Sequence, residues 1–254
     1  MTMTQSVRYF ILIILLSVAL GANASDQQFA SGDAQVALVE LYTSEGCSSC
    51  PPADRWLSSL ESKPGLWRDF VPLAFHVDYW DYIGWKDRFA SPEYSQRQRH
   101  YAHDYNEATV YTPGVRSNGN EMRGWRRVSS FQDEDAETVG ELKVEISEKG
   151  AFKASFNNQS ERNANLLNVA LLGLDLESEV SRGENRGKKL QHDFVVLGIS
   201  RYSSAESGEW SGVLPGPKVL ASKYAVAVWV SDGRRVSPIQ ATGGYLSANI
   251  SFAE

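Results

Sequence analysis

The sequence predicts an α/β domain followed by a domain of mostly antiparallel β-strands, with the boundary near residue 140. Between residues 36 and 142, apolar runs of strand length alternate with helix signals, whereas the rest of the chain has short apolar runs separated by polar turns. Charge divides the chain at the same place. Residues 25–140 carry 11 basic and 18 acidic side chains, and residues 141–254 carry 13 of each.

The overall composition is that of an ordinary folded protein and excludes several classes. The 254 residues include 25 Lys plus Arg and 31 Asp plus Glu, a formal net charge of −6. Because nucleic-acid binding depends on clustered basic residues, we expect no nucleic-acid partner. The two cysteines, Cys47 and Cys50, are too few for a framework of several disulfides.

Residues 1–24 have the pattern of a secretory signal peptide. Arg8 precedes an apolar run over residues 9–20, and Ala22-Asn23-Ala24 supplies the small residues of a cleavage site. The run is shorter than the roughly 20 residues that a permanent transmembrane helix needs. We therefore predict cleavage after Ala24 and a periplasmic or secreted protein without a membrane segment, the alternative being an uncleaved anchor.

The elements of the first domain, residues 25–140, follow from local signals in the order β-α-β-α-β-β-α. Pro51-Pro52 is typical of a helix start, as is Ser91-Pro92-Glu93, and Asn118-Gly119 is a strong hairpin signal. The predicted strands cover residues 36–42, 71–77, 110–115 and 121–125; the helices begin near residues 51 and 92, and a last helix covers 132–142.

The second domain, residues 141–254, is predicted to be a β-sandwich. Strand-like runs lie around residues 143–146, 151–156, 166–174, 190–199, 223–231 and 236–240. Asp232-Gly233 between the last two runs indicates a hairpin, and such spacing favours antiparallel pairing.

The pattern Cys47-Ser48-Ser49-Cys50 lies between a predicted strand and a predicted helix. A sulfur at a helix N-terminus has a lowered pKa, which makes Cys47 the expected exposed nucleophile and Cys50 the resolving thiol. A zinc site would need two further ligands, and no second cysteine pair exists. The alternative is a static disulfide, although so short a loop would add little stability.

Four segments carry a resemblance to a known family: residues 39–54, 75–86, 111–113 and 182–196. They resemble the thioredoxin superfamily and, more closely, the exported bacterial family called domain of unknown function 1223. The resemblance implies a thioredoxin-like N-terminal domain and a β-rich C-terminal domain. It also implies that Pro113, in Tyr111-Thr112-Pro113, is a cis-proline facing the two cysteines.

Two features outside the cysteine pair are candidates for the site, Glu40 and residues 78–90. Glu40, on the strand that leads to Cys47, is a candidate general base for the resolving thiol. The aromatic, acidic insertion at residues 78–90 is expected either to form a wall beside the cysteines or to pack against the second domain.

Two further sets of polar residues are not assigned a catalytic or metal-binding role. His76, Asp78, Asp81, His100 and His103 match no compact metal motif, so no metal is predicted. Arg182, Glu184, Asn185 and His192 are interpreted as a polar network that organises turns.

These observations predict a thiol–disulfide oxidoreductase that exchanges with a protein thiol or disulfide and needs no cofactor. A Cu(I)-handling protein is the first alternative, since two thiolates suit that soft ion. A non-catalytic binding module with a static disulfide is the second.

Overall fold

The computed structural model describes residues 26–128, 130–131, 135–203 and 208–252. These residues are mostly β, with 38% in strands and 14% in helical conformation. The α-helices are α1 (Pro51–Ser59) and α2 (Pro92–Asp104), and short 3₁₀ helices cover Leu60–Ser62, Asp81–Ile83 and Trp125–Arg127. The strands are β1 (Gln27–Ala30), β2 (Ala37–Thr43), β3 (Phe70–His76), β4 (Gly114–Ser117), β5 (Asn120–Glu121), β6 (Leu142–Ile146), β7 (Ala151–Phe156), β8 (Leu166–Leu174), β9 (Leu176–Glu179), β10 (Lys189–His192), β11 (Val195–Ser203), β12 (Glu209–Val213), β13 (Lys223–Ser231) and β14 (Gln240–Tyr245).

An eight-stranded mixed sheet, in the order β14-β13-β8-β11-β3-β2-β4-β5, forms the centre of the protein. Strand β2 pairs in parallel with β3 and antiparallel with β4. The two halves of the chain meet where β3 pairs in parallel with β11, with Ala74 opposite Val195. Sequence-distant strands therefore share one sheet.

Two smaller sheets complete the fold. Strands β1, β6, β7 and β12 form an antiparallel sheet, and β9 and β10 form a two-stranded hairpin. The first strand of the described chain thus pairs with β6, so the four-stranded sheet also contains residues from both sides of position 140.

The core consists of two hydrophobic clusters on opposite faces of the large sheet. Along β13, Ala225, Ala227 and Trp229 belong to the cluster that includes α1 and α2 side chains. The alternating residues Val226, Val228 and Val230 belong to the cluster shared with β6 and β7. Because side chains of a strand alternate between faces, the continuous apolar sequence of β13 reflects burial on both sides.

The predicted fold class, an α/β thioredoxin-like N-terminal domain followed by a β-sandwich-like domain, is wrong. The described residues form a mostly β protein with two α-helices and large mixed and antiparallel sheets. The predicted last helix over 132–142 contributes to the error. Residues 132–134 lie outside the described residues, Thr138 forms a β-bridge with Ala34, and β6 begins at Leu142.

At Gly140 the backbone is not helical, so the predicted helix does not extend to residue 142. The φ of Gly140 is +103°, and a Cβ built there would lie 1.8 Å from the Asn157 carbonyl oxygen. The backbone therefore turns into β6 where the sequence spacing had favoured a further helical turn.

Two other predictions stay open. The division into domains at residue 140 remains a prediction. The signal peptide over residues 1–24 lies outside the described residues. Within the described ranges, none of the helices is long and apolar enough to cross a bilayer.

Candidate functional site

Cys47 and Cys50 form a disulfide at the start of α1, with their Cα atoms 5.4 Å apart. Strand β2 ends at Thr43, a short turn follows, and Cys50 is the N-cap of α1. The Cys50 carbonyl accepts hydrogen bonds from the backbone N–H groups of Ala53 and Asp54 at 2.8 and 3.1 Å. Pro51 and Pro52 fit this start because the first helical positions need no N–H donor.

Both sulfurs are inaccessible in this oxidised form. Cys47 is 1% exposed and Cys50 is fully buried, whereas Ser48 and Ser49 are exposed. In this oxidised form Cys50 occupies the N-cap, and Cys47 precedes it and is buried. That Cys47 is the accessible thiol of the reduced protein stays a prediction.

The cover on one side is the loop between β9 and β10, residues 180–188, called the covering loop below. Asn185, which is fully buried, donates hydrogen bonds to the carbonyl oxygens of Glu45 and Cys47 at 2.8 and 2.9 Å. Glu184 Oε2 accepts a hydrogen bond from the Ser48 N–H at 3.1 Å. The Ser48 side chain and then its backbone N–H lower the pKa of Glu184. The middle of the covering loop is thus bonded to the backbone of the cysteine turn at Glu45, Cys47 and Ser48.

The aromatic insertion contacts the other side of the same turn. A Cβ at Gly46 would lie 3.0 Å from Trp80 Cβ, so the glycine allows the tryptophan to approach the backbone beside Cys47. Trp80 Nε1 also donates to Thr112 Oγ1 at 2.7 Å, and Trp85 Nε1 donates to Glu45 Oε2 at 2.7 Å. The insertion therefore forms a wall that joins the cysteine turn to the segment before Pro113.

Pro113 lies at the same end of the sheet as the disulfide. The Thr112–Pro113 peptide bond is cis. The next residue, Gly114, begins β4 and pairs with Tyr42 near the end of β2. The register therefore places Pro113 beside the point where β2 enters the cysteine turn.

Glu40 lies in a different environment from the one expected of a general base. Its carboxylate is fully buried and accepts hydrogen bonds from Arg97 Nε at 2.7 Å and from the hydroxyl of Tyr101. Burial and the Glu40 charge raise the pKa of Tyr101. These partners lie on α2, so Glu40 serves a buried ion pair on that side of the sheet.

Asp54 is an acidic residue that sequence reasoning missed. It lies on α1 four residues after Cys50, a spacing that places two side chains on one helix face. Asp54 is 6% exposed, and its Oδ1 accepts a hydrogen bond from Thr43 Oγ1 at 2.7 Å. Desolvation by burial raises the pKa of Asp54 despite the attraction of His192 and His76. The spacing in Cys50-Pro51-Pro52-Ala53-Asp54 is the signal that could have revealed it.

A buried group of two histidines and two further carboxylates adjoins Asp54. His76 Nδ1 lies 2.7 Å from Asp87 Oδ2, and His192 Nε2 lies 3.5 Å from Glu45 Oε1. The two imidazole rings meet edge-on with centroids 4.9 Å apart. Burial alone would lower the pKa of His76, but the Asp87 charge and hydrogen bond raise it overall.

The pKa values of the two carboxyl groups, Glu45 and Asp87, are lowered. Burial would raise the pKa of Asp87, but the His76 charge and hydrogen bond lower it overall. Burial would also raise the pKa of Glu45, but the adjacent His192 imidazole lowers it overall. His76 Nε2 and both ring nitrogens of His192 have no hydrogen-bond partner among the described residues.

The three histidines in the first half of the chain do not lie together. His76 is buried in the group above, whereas His100 and His103 are exposed on α2. Among the described residues, no three His, Cys, Asp or Glu side chains are arranged to hold a metal ion. Of the four residues interpreted as a polar turn network, Glu184 and Asn185 form hydrogen bonds with backbone groups of the cysteine turn. His192 lies near Glu45, and Arg182 is exposed.

Comparison with known proteins identifies solved structures of similar fold and the family of this chain. The chain is similar to the crystal structure of protein AGR_C_4864 from Agrobacterium tumefaciens, with a TM-score of 0.62 and 24% identity over 88% of this chain and 99% of that chain. It is also similar to the structure of HBP35 of Porphyromonas gingivalis, with a TM-score of 0.54 and 13% identity over 85% of this chain and 76% of that chain. Both likenesses concern the fold alone.

Among curated proteins, none matches the chain significantly. The family model described as "Protein of unknown function (DUF1223)" matches residues 38–231, a range that contains the disulfide, the aromatic insertion and the covering loop. This chain belongs to that family.

Proposed function

We propose that the protein is a thiol–disulfide oxidoreductase whose Cys47–Cys50 disulfide exchanges with thiols of another protein. The observation that carries this proposal is the position of Cys50, at the N-cap of α1 and one helical turn before the buried Asp54. A helix N-terminus stabilises a thiolate, and a buried carboxyl with a raised pKa can supply or accept a proton.

The short spacing of the cysteines also favours a reactive role over a structural one. The sequence separation is 3, and a loop of this size gives about 2 kcal/mol by loop-closure entropy, against about 4.7 kcal/mol for a loop of 100 residues. The large sheet already joins this region to distant strands. A disulfide retained for stability would be more effective between distant segments.

The proposed exchange has two steps. A thiolate of the partner attacks Cys47 Sγ, the Cys47–Cys50 bond breaks, and Cys50 leaves as a thiolate that accepts a proton from Asp54 or water. A second thiolate of the partner then attacks the mixed disulfide, releasing Cys47 as a thiolate. The partner dithiol loses two electrons and forms a disulfide, while Cys47 and Cys50 gain the two electrons; the reverse reaction oxidises them again.

Access to Cys47 requires the covering loop to move. Cys47 is 1% exposed, and Asn185 fixes the loop to its carbonyl oxygen. In the proposed cycle the loop opens before the partner attacks, so the closed form protects the disulfide from small thiols.

The proposed setting is outside the cytoplasm, with a protein thiol or disulfide as partner. Disulfides persist in exported proteins, whereas cytosolic reductants keep most thiols reduced. The signal-like sequence of residues 1–24 supports the same setting. Recovery of the full-length chain from the cytoplasmic fraction would contradict it.

The test is the reduction potential of the Cys47–Cys50 pair, measured by equilibrating the protein with thiol–disulfide buffers and counting alkylated cysteines by mass. We expect a potential above about −300 mV, since structural disulfides lie below that value. A lower potential would indicate a static disulfide and refute the proposal.

A second experiment uses Cys50→Ser, which leaves a thiol that can attack but cannot be released. Mixed disulfides with exported proteins should accumulate in this variant and not in Cys47→Ser. If Cys50→Ser traps nothing, and the reduced wild-type protein instead binds one Cu(I) ion, the Cu(I)-handling alternative replaces the proposal.

A further inference from the structure

A cleft of about 390 Å³ lies between the exposed face of α2 and the ends of β8 and β13, away from the disulfide. Its volume is within the range of small-molecule sites. The turn after β13 forms one wall, which residues 233–236 line, and Arg234 and Arg235 in this turn are exposed.

The floor of the cleft is polar. Asn168 and Ser231 are each 2% exposed, and Asn168 Nδ2 lies 3.3 Å from Ser231 Oγ. Leu166 and Val236 supply the apolar part of the lining. A polar floor at this depth favours a hydrophilic ligand over an apolar one.

The cleft contains more positive than negative charge, although the chain as a whole is acidic. The other two arginines that line the cleft form ion pairs: Arg97 with Glu40 at 2.7 Å and Arg201 with Glu93 at 2.5 Å. The guanidinium groups of Arg234 and Arg235, in contrast, have no ion pair among the described residues.

The carboxylates of Asp104 and Asp232 contact backbone N–H groups and His103, and neither forms an ion pair with Arg234 or Arg235. Asp104 Oδ2 accepts a hydrogen bond from the Val236 N–H at 3.3 Å, and its Oδ1 lies 3.4 Å from His103 Nδ1. Asp232 Oδ1 accepts the backbone N–H groups of Arg234 and Arg235 at 2.8 and 2.6 Å. These bonds hold the turn in place and leave both arginine side chains free to bind.

We propose that this cleft binds a small anion carrying two negative charges, either a phosphate group or a dicarboxylate. Two guanidinium groups match such a ligand in charge, and their planar sets of N–H donors match the geometry of its oxygens. The proposal is independent of the disulfide chemistry.

The experiment is calorimetric titration of the full protein with inorganic phosphate and, separately, with succinate, at a constant ionic strength set with NaCl. We expect saturable binding of at least one of them with one site per chain. Phosphate alone would identify a phosphoryl-binding site, and succinate alone a dicarboxylate site. No saturable binding of either anion would overturn the proposal.

Two variants locate the binding. Arg234→Ala combined with Arg235→Ala should weaken it at least tenfold. Lys63→Ala combined with Lys149→Ala removes the same charge from exposed positions outside the cleft and should leave it within twofold. Equal losses in both variants, or none in the arginine variant, would refute a site in the cleft.

A measurement on the unmodified protein avoids any effect of substitution on folding. In amide NMR spectra, bound phosphate or succinate should shift the Asn168 side-chain signal and the Gly233 backbone signal. Shifts confined to other parts of the chain would overturn the assignment.

Discussion

The replacement Asn185→Ala tests whether the covering loop controls access to the disulfide. In the closed form this side chain donates two hydrogen bonds, to the carbonyl oxygens of Glu45 and Cys47. Each is worth about 1 kcal/mol, so their loss should destabilise the closed form by about 2 kcal/mol. Because 1.4 kcal/mol corresponds to a factor of ten, the open population should rise about 30-fold.

The assay is the rate of reduction of the disulfide by dithiothreitol under native conditions, followed by alkylation and mass measurement. If opening precedes attack, the rate constant should rise by the same factor of about 30. Asn168→Ala is the matched control, since Asn168 is 2% exposed and also donates two hydrogen bonds, to Trp229 O and Ser231 Oγ.

Two results would refute the reasoning. A folded Asn185→Ala protein reduced within twofold of the wild-type rate would mean that thiols reach Cys47 without opening of the loop. Equal acceleration in Asn168→Ala would mean that reduction follows global unfolding, and the loop would have no special part in it.

Three other replacements give further predictions. Asp54→Asn should slow thiol exchange near pH 7 by about 10- to 100-fold if Asp54 transfers the proton; an unchanged pH–rate profile would exclude this role. Glu40→Gln should leave the exchange rate unchanged but reduce the free energy of unfolding by about 3 kcal/mol in urea titration, because Arg97 stays buried without its charge partner. A slower exchange would restore Glu40 as the base. Asp87→Asn should remove part of the pH dependence of stability above the ordinary histidine pKa of about 6.5. The raised pKa of His76 means that its protonation stabilises the fold at low pH and that this contribution is lost as pH rises through the folded pKa. Parallel stability curves for the two proteins would contradict this coupling.

Local signals predicted several elements close to their observed bounds. The strand expected over residues 36–42 is β2 (Ala37–Thr43), and the helix expected at Pro51 is α1 (Pro51–Ser59). Proline at a helix start and Asn-Gly at a turn act within a few residues, so no knowledge of the tertiary structure is needed.

The fold class could not be obtained in this way because it depends on pairing between distant strands. Ala74 of β3 lies opposite Val195 of β11, and β1 pairs with β6 over more than a hundred residues of chain. Apolar runs show that strands exist but not which strand lies beside which. The resemblance to the thioredoxin superfamily led to the prediction of an α/β N-terminal domain, which the structure contradicts.

The candidate site shows the same division between local and distant information. Cys47, Cys50 and Asp54 lie within eight consecutive residues, so the reacting sulfurs and a nearby carboxyl can be read from one short segment. Asn185 is separated from Cys47 by 138 positions and reaches it through the β9–β10 hairpin. In the proposed mechanism the local segment therefore carries the exchange chemistry, while access to it depends on a distant segment that only the folded sheet brings into contact. Variants of Asn185 should accordingly alter the rate of reduction of the disulfide more than its reduction potential, since both redox states can close the loop. If Asn185→Ala changes the equilibrium constant for reduction by the same factor as the rate constant, the loop acts on the sulfurs directly and does not control access to them.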